Sequence, residues 1–265
     1  MITRSDDYLE YCRETAKHAS DAHDLALRGR DKKEITRLIH ERIAEAVELC
    51  SGDDLVDIGC GDGTLLRIAQ RVGTKTAVGL LATNEEVAVL RRFGLEARQG
   101  LTDELPLADG CASVIVCNSV FLVVPREKIP ASLREIYRIG KPGARVFLGE
   151  IPFVETHDPT PQFTSRQETL AYLYRKHGLR TWFGMLRRML WWALRGQPAV
   201  IRPGTAISFH ATPDEFIAMG QAAGLEPVRY WQHDHPNTRN NYLFRKPFGV
   251  DLSVAAPSAS KAELN

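Results

Sequence analysis

A strong charge of either sign is missing from this chain. Its 265 residues carry 34 Lys and Arg against 33 Asp and Glu, a formal net charge of +1. That balance lacks the basic excess of a dedicated nucleic-acid binder, and nucleic acid is not an expected partner. Long apolar runs are missing too: none approaches the 18 or so residues that span a bilayer, and Met1 to Asp7 hold charge where a secretory leader would be apolar. Cysteine is sparse, with five residues and no C-x-x-C spacing, so neither a disulfide framework nor a zinc site is expected. Cys12, Cys50, Cys60, Cys111 and Cys117 read as reduced thiols of a cytoplasmic protein. No internal repeat occurs. What is present is a 44% hydrophobic composition, enough to bury the core of an α/β domain of about 200 to 250 residues with appendages.

Apolar periodicity divides the chain. Residues 1–50 form an N-terminal helical cap in which Ile35, Leu38, Ile39, Ile43, Ala46, Val47 and Leu49 recur at helical spacing. Residues 51–150 alternate strand and helix: strands at 55–58, 77–81, 95–99, 112–117 and 144–148, helices at 64–72, 84–93 and 129–139. Lys141-Pro142-Gly143 reads as a turn. This pattern predicts a doubly wound parallel α/β sheet, Rossmann-like, of about seven strands once those at 226–232 and 241–246 are added. Residues 151–210 interrupt the alternation as a helical insertion after the fifth strand, residues 211–248 complete the sheet, and 249–265 read as a disordered tail.

Gly59-Cys60-Gly61-Asp62-Gly63 falls between a strand and a helix. Missing side chains there let a ligand approach the backbone, and N–H groups at the helix start favour anionic or polar ligand atoms. The context favours a nucleotide-type ligand over an ordinary tight turn. Asp57, just before the loop, suits a turn and equally suits a ligand ammonium.

Val56-Asp57-Ile58-Gly59-Cys60-Gly61-Asp62-Gly63 resembles the first motif of class I S-adenosylmethionine (SAM)-dependent methyltransferases. Leu105 to Gly110 is similar to the family's turn before its fourth strand, Leu133 to Gly143 to its helix and fifth-strand entry, and Thr212 to Leu225 to its last helix. The resemblance covers residues 50–150 and 208–247 in order. It implies SAM as cofactor and S-adenosylhomocysteine (SAH) as product, with Gly59, Cys60 and Gly61 under the methionine moiety and Asp57 at its amino group. For the rival dehydrogenase fingerprint, the third glycine should come later. The pattern breaks at the acids. An acid about 20 residues after the loop accepts hydrogen bonds from ribose hydroxyls, and that position, beside Ala82, is Leu81. The acid implied at the adenine aligns with Leu101, beside Thr102, and a third aligns with Ser113. Leucine accepts no hydrogen bond. Thr83, Asn84 or Glu85 at the ribose, and Thr102 or Asp103 at the adenine, are the expected substitutes; the alternative is a methyltransferase-like protein that binds another ligand without catalysis.

On the substrate side, Asn118 and Ser119 follow the fourth strand, where open α/β sheets bind ligands. They line the pocket or cap the next turn. The acceptor is expected to be a small molecule methylated at oxygen, a sugar, glycolipid precursor or secondary metabolite. His157 is the preferred base, after the fifth strand in Glu155-Thr156-His157-Asp158, with His210, His233, His235, Glu150 and Glu155 as other candidates. His233-Asp234-His235 lacks a distant third ligand, so no metal is expected. In 180–195, helical spacing gathers Arg180, Arg187, Arg188 and Arg195 within about 100°, with Trp182, Met185, Leu186, Met189, Leu190 and Trp192 on the far side. That stripe reads as a lid over the substrate cleft, or as a membrane-surface or lipid-linked substrate contact. Nothing in the pattern bears on oligomeric state.

Overall fold

Runs of Val, Ile and Leu too continuous to leave one face in water form the middle of the molecule. The computed structural model describes residues 4–25, 33–152, 209–232 and 239–248, with Leu179, Phe183, Arg187, Leu190 and Leu194. Strands β1 (Asp54–Ile58), β2 (Thr76–Leu81), β3 (Ala97–Gln99), β4 (Ala112–Asn118) and β5 (Gly140–Pro152) lie parallel to their neighbours, while β7 (Arg239–Arg245) runs antiparallel to both β5 and β6 (Glu226–Gln232). The order is β3-β2-β1-β4-β5-β7-β6, seven strands, as expected for the doubly wound Rossmann-like sheet. All five residues of β1 are buried, because helices cover both faces of it.

Side-chain alternation sorts the core into two layers. Leu55, Val114, Val116 and Phe147 meet Ile43 of α2 (Lys33–Ala46), Leu65 and Ile68 of α3 (Thr64–Val72) and Leu90 of α4 (Asn84–Arg92). Val56, Ile58, Cys117 and Leu148 meet Leu133 and Ile136 of α5 (Ile129–Ile139) and Phe216 of α6 (Pro213–Ala222). Each such side chain, fully buried, contributes about 1.5–3 kcal/mol. Helix α1 (Arg4–Lys17) packs beside α4, and α2 beside α3, so the N-terminal cap lies on the α3–α4 side. Thr83 and Thr212 start α4 and α6 through reciprocal capping boxes with Glu86 and Glu215.

Two expectations need correction. Lys141-Pro142-Gly143 belongs to β5 rather than to a turn, although Gly143 has φ +80°. Pairing with β4 already begins at Gly140, a register shift absorbs the extra residues, and Gly143 N–H is taken by the Lys246 carbonyl at 2.9 Å. In the insertion, Leu190 does not pack as part of a buried stripe: it is 64% exposed, and Leu179, Phe183, Arg187 and Leu194 are helical and exposed with it. Spacings of three and four residues put Arg187 on the same helical face as Leu190. Between Arg180 and Arg195 only Phe183, Arg187, Leu190 and Leu194 are described, so the other side chains of that stripe lie outside the described residues.

The amino ends of β1, β4 and β5 are tied by charge. Asp53 accepts from Cys50 N–H, from Ser113 Oγ at 2.8 Å and from Arg145; Asp54 accepts from Lys141 and from Thr76 Oγ1 at 2.8 Å. Burial alone would raise the Asp53 carboxyl, but these hydrogen bonds outweigh it and hold it below the usual carboxylate range. Lys141 does the same for Asp54. Ser113, aligned above with a lost acid, therefore braces the end of the sheet opposite the glycine loop. Because both folded values lie below about 3.9, the unfolded value, this stabilisation is fully present above pH ~4 and disappears as pH falls through the folded values. Thermal unfolding in Asp53→Asn should lose about 1–3 kcal/mol at pH 7, with a smaller gap from the parent at pH 3; an equal gap at both pH values would contradict the assignment.

Candidate functional site

The β1 chain can turn into α3 only through left-handed backbone, and glycine supplies it: Gly59, Gly61 and Gly63 have φ of +72°, +51° and +72°. At Gly59 space also excludes a side chain, since a Cβ would sit 2.2 Å from Val120 Cγ2. Gly59 and Cys60 both donate their N–H to the Leu80 carbonyl, at 2.8 and 3.2 Å, which pins the loop to the end of β2. Asp62 accepts from Thr64 N–H at 2.9 Å, closing the loop onto α3, and its other oxygen lies 3.0 Å from His23 Nδ1 in the N-terminal cap.

Above this loop lies a cavity of about 350 Å³. Its walls bring together residues far apart in sequence: Gly59, Cys60, Gly61 and Asp62 of the loop, Leu81, Ala82 and Glu86 after β2, Leu101, Thr102 and Asp103 after β3, and Asn118 and Ser119 after β4. Tyr8, Leu9 and Cys12 of α1 and Thr36 and His40 of α2 close it from the N-terminal cap. Of the cofactor positions singled out in sequence, Gly59, Cys60, Gly61, Leu81, Ala82, Leu101, Thr102 and Asn118 line this cavity, and Asp57 does not. Asp57 sits behind the loop, 3% exposed, and its Oδ2 has no hydrogen-bond partner. Burial, aided by the charge of Asp62, pushes its carboxyl up to about 8.

The ribose and adenine ends differ from expectation. Of Thr83, Asn84 and Glu85 none lines the cavity; Glu86 does. Its Oε2 accepts from Thr83 N–H at 3.1 Å and Thr83 Oγ1 at 2.8 Å, Cys12 also bonds the carboxylate, and burial raises its proton affinity. The T-x-x-E capping box at 83–86 was the available sequence signal. At the other end Thr102 Oγ1 accepts from Ser132 Oγ at 2.8 Å and Asp103 pairs with Lys128 at 2.8 Å. Leu101 is 38% exposed at the rim.

His157, Glu155, His233 and His235 lie outside the described residues. His210 is described, but it does not line the cavity. His40, which no motif in the sequence marks, does. Its Nδ1 lies 2.7 Å from the Thr36 carbonyl, an acceptor only, so Nδ1 carries the hydrogen and Nε2 keeps a lone pair. No cluster of three or more metal-ligating side chains occurs among the described residues.

Residues 56–148 match a family model described as a methyltransferase domain. That stretch carries β1 to β5 and the glycine loop, so the sheet core and the cavity floor are similar to a methyltransferase domain. Among curated relatives, the malonyl-[acyl-carrier protein] O-methyltransferase of Pectobacterium atrosepticum is 35% identical over 113 residues, 42% of this chain and 43% of that one. The 24-methylenesterol C-methyltransferase 2 of Oryza sativa subsp. japonica is 29% identical over 126 residues, 44% and 34% of the two chains. This methyltransferase core thus spans less than half the length of either. Among solved structures, a SAM-dependent methyltransferase from Methanosarcina mazei superposes with TM-score 0.52 at 16% identity, over 78% of this chain and 98% of that one. The [4+2]-cyclase SpnF superposes at 0.59 with 16% identity, over 93% and 97%. Both show the fold.

The raised Asp57 carboxyl has a sign that can be tested. A folded value near 8 against about 3.9 unfolded means its stabilising neutral form is complete below pH ~4 and lost as pH rises through 8. Asp57→Asn should stabilise the ligand-free chain on the order of 3 kcal/mol at pH 8 and by much less at pH 5; chemical denaturation at the two pH values reads this, and a destabilised variant at pH 8 contradicts it.

Proposed function

We propose that this chain is an enzyme that transfers the methyl group of SAM to an oxygen of a small-molecule acceptor. The observation that carries the reading is the cavity floored by a left-handed glycine loop at the carboxyl ends of β1, β2 and β4. The residues present fit the group. Gly59 and Gly61 bring backbone without side chains to the cavity wall, and the orphaned Asp57 Oδ2 behind the loop, once ionised, would complement a ligand ammonium. When bound, SAM supplies an electrophilic methyl on a sulfonium.

The chain's own residues have three tasks. Gly59, Cys60 and Gly61 hold the methionine end against the backbone. Glu86 accepts from the ribose hydroxyls in place of the strand-end acid that Leu81 lacks, its carboxylate oriented by Thr83. His40 removes the proton of an acceptor hydroxyl through Nε2, its ring held by the Thr36 carbonyl. Leu9, Leu25, Val120 and Leu122 line the same cavity and suit an acceptor with an apolar body. The relatives named above act on an acyl-carrier-bound malonyl group and on a sterol, and the resemblance extends here only to a small organic acceptor. Contact with a membrane surface or lipid-linked substrate through 180–195 rests on the exposed Leu179, Phe183, Leu190 and Leu194 beside Arg187. No helix among the described residues is long and apolar enough to cross a membrane.

Calorimetry with SAH tests the reading: micromolar affinity is expected, and no binding at millimolar SAH overturns it. Glu86→Gln should weaken SAH by about 1.5–3 kcal/mol, roughly ten- to a hundredfold, while leaving the affinity for a 2′,3′-dideoxy analogue unchanged. Once an acceptor is in hand, His40→Gln should lower kcat about 10²–10⁴-fold with SAH affinity intact; an unchanged kcat removes His40 from the mechanism.

A further inference from the structure

A second, smaller cavity of about 100 Å³ lies beside the first. The two share a partition. Asn118 lines both, and α2 turns His40 to the first and Ile39 and Arg42 to the second. The chain is strained where they meet. Three non-glycine residues among those described have left-handed backbone, and two of them, Ser119 and Glu150, flank this partition, with Ser119 N–H bonded to the Gly149 carbonyl at 3.0 Å. Such strain persists where surrounding structure enforces it, and it gathers at ligand sites. Gly149 is part of the enforcement: a Cβ there would lie 2.2 Å from Asn118 Oδ1 and 2.4 Å from the Phe147 ring, so only glycine lets Asn118 stand between the cavities.

The chemistry of the small cavity is distinct from that of the large one. Glu150, in its wall, is neutralised by Arg239 at 2.7 Å, and its N–H is taken by Asn241 Oδ1 at 2.9 Å. Asn241 therefore keeps its amide NH₂ for another partner, and among the described residues Arg42 and the Gln232 amide have none. The uncompensated charge in the cavity is thus the single positive one of Arg42. The remaining wall is apolar, Ile39 and Ile43 with two aromatic rings: Trp231 packs against Phe147 with ring centroids 5.8 Å apart, and Arg229 stacks on Trp231 at 4.8 Å, fixing the indole.

We propose that this side chamber is the anchoring site for a carboxylate on the methyl acceptor, the carboxylate resting against Arg42 and the Asn241 amide while the acceptor passes Asn118 into the main cavity. The acceptor class this implies is a small hydroxy acid with a flat or apolar body. A monoanion is matched to one free guanidinium, and amide donors add hydrogen bonds that a hydrophobic ligand would leave unmade. The inference rests on the methyltransferase reading for the identity of the neighbouring cavity.

The test uses the full chain saturated with SAH and, as probes, benzoate and its neutral isostere benzamide, titrated by saturation-transfer NMR. Benzoate should bind at least tenfold more tightly than benzamide. Arg42→Gln, at an exposed position, should erase that preference, and Gln232→Trp, which fills the chamber from another exposed position, should block benzoate. SAH affinity should stay within twofold in both variants. Benzoate binding no tighter than benzamide, or binding that both variants leave unchanged, overturns the inference while SAH binding keeps the reading of the main cavity. Failure of the parent chain to bind SAH overturns both together.

Discussion

Everything at the functional end of this molecule hangs on one steric constraint, the absence of side chains where β1 turns into α3. Left-handed backbone at Gly59, Gly61 and Gly63 reverses the chain within five residues, and the N–H groups of Gly59 and Cys60 spend themselves on the Leu80 carbonyl. The turn thereby becomes a rigid floor fixed to two strands at once. Val120 closes the space above Gly59 so tightly that any Cβ would collide with it. A buried carboxyl, Asp57, lies behind this floor with its Oδ2 unpartnered, a cost that a folded protein ordinarily avoids.

Opposite ends of the sheet have opposite electrostatics. At the amino end Asp53 and Asp54 are saturated with donors and held below their ordinary range, so they stabilise the fold at neutral pH. At the carboxyl end Asp57 and Glu86 are pushed the other way by burial. The first pair is bracing, complete without any ligand. The second pair has capacity to spare, which is the signature of groups placed for a function rather than for the fold.

The N-terminal cap joins the two. Without it the cavity would be an open shelf on the sheet; α1 and α2 turn it into an enclosure, with His23 tied to Asp62 in the loop and Cys12 to Glu86. The same α2 that closes the main cavity separates it from the side chamber, so one helix positions a base candidate on one side and a free cation on the other. A cap of this kind sets which acceptor enters while the loop beneath it stays constant.

Periodicity alone determined most of the architecture. Helices at 64–72 and 129–139 fall on the residues the apolar spacing indicated, and the strand–glycine–helix order located the floor of the site, because these features depend on neighbours a few residues apart. The start of β5 was hidden: Lys141-Pro142-Gly143 has turn chemistry, and only pairing with β4 and β7 makes it strand. The residues that line the cavity divide in the same way. Gly59, Leu81, Leu101, Thr102 and Asn118 were legible from their places after successive parallel strands, which all end on one side of the sheet. Glu86 and His40 were not, since their places depend on which face of a helix meets a cavity assembled from several separate parts of the chain. Sequence thus determined the fold and the loop, through local sterics and periodicity. Only the tertiary structure decided which side chains line the cavity beside the missing acids and what closes it, because those are contacts between elements that the chain itself keeps apart.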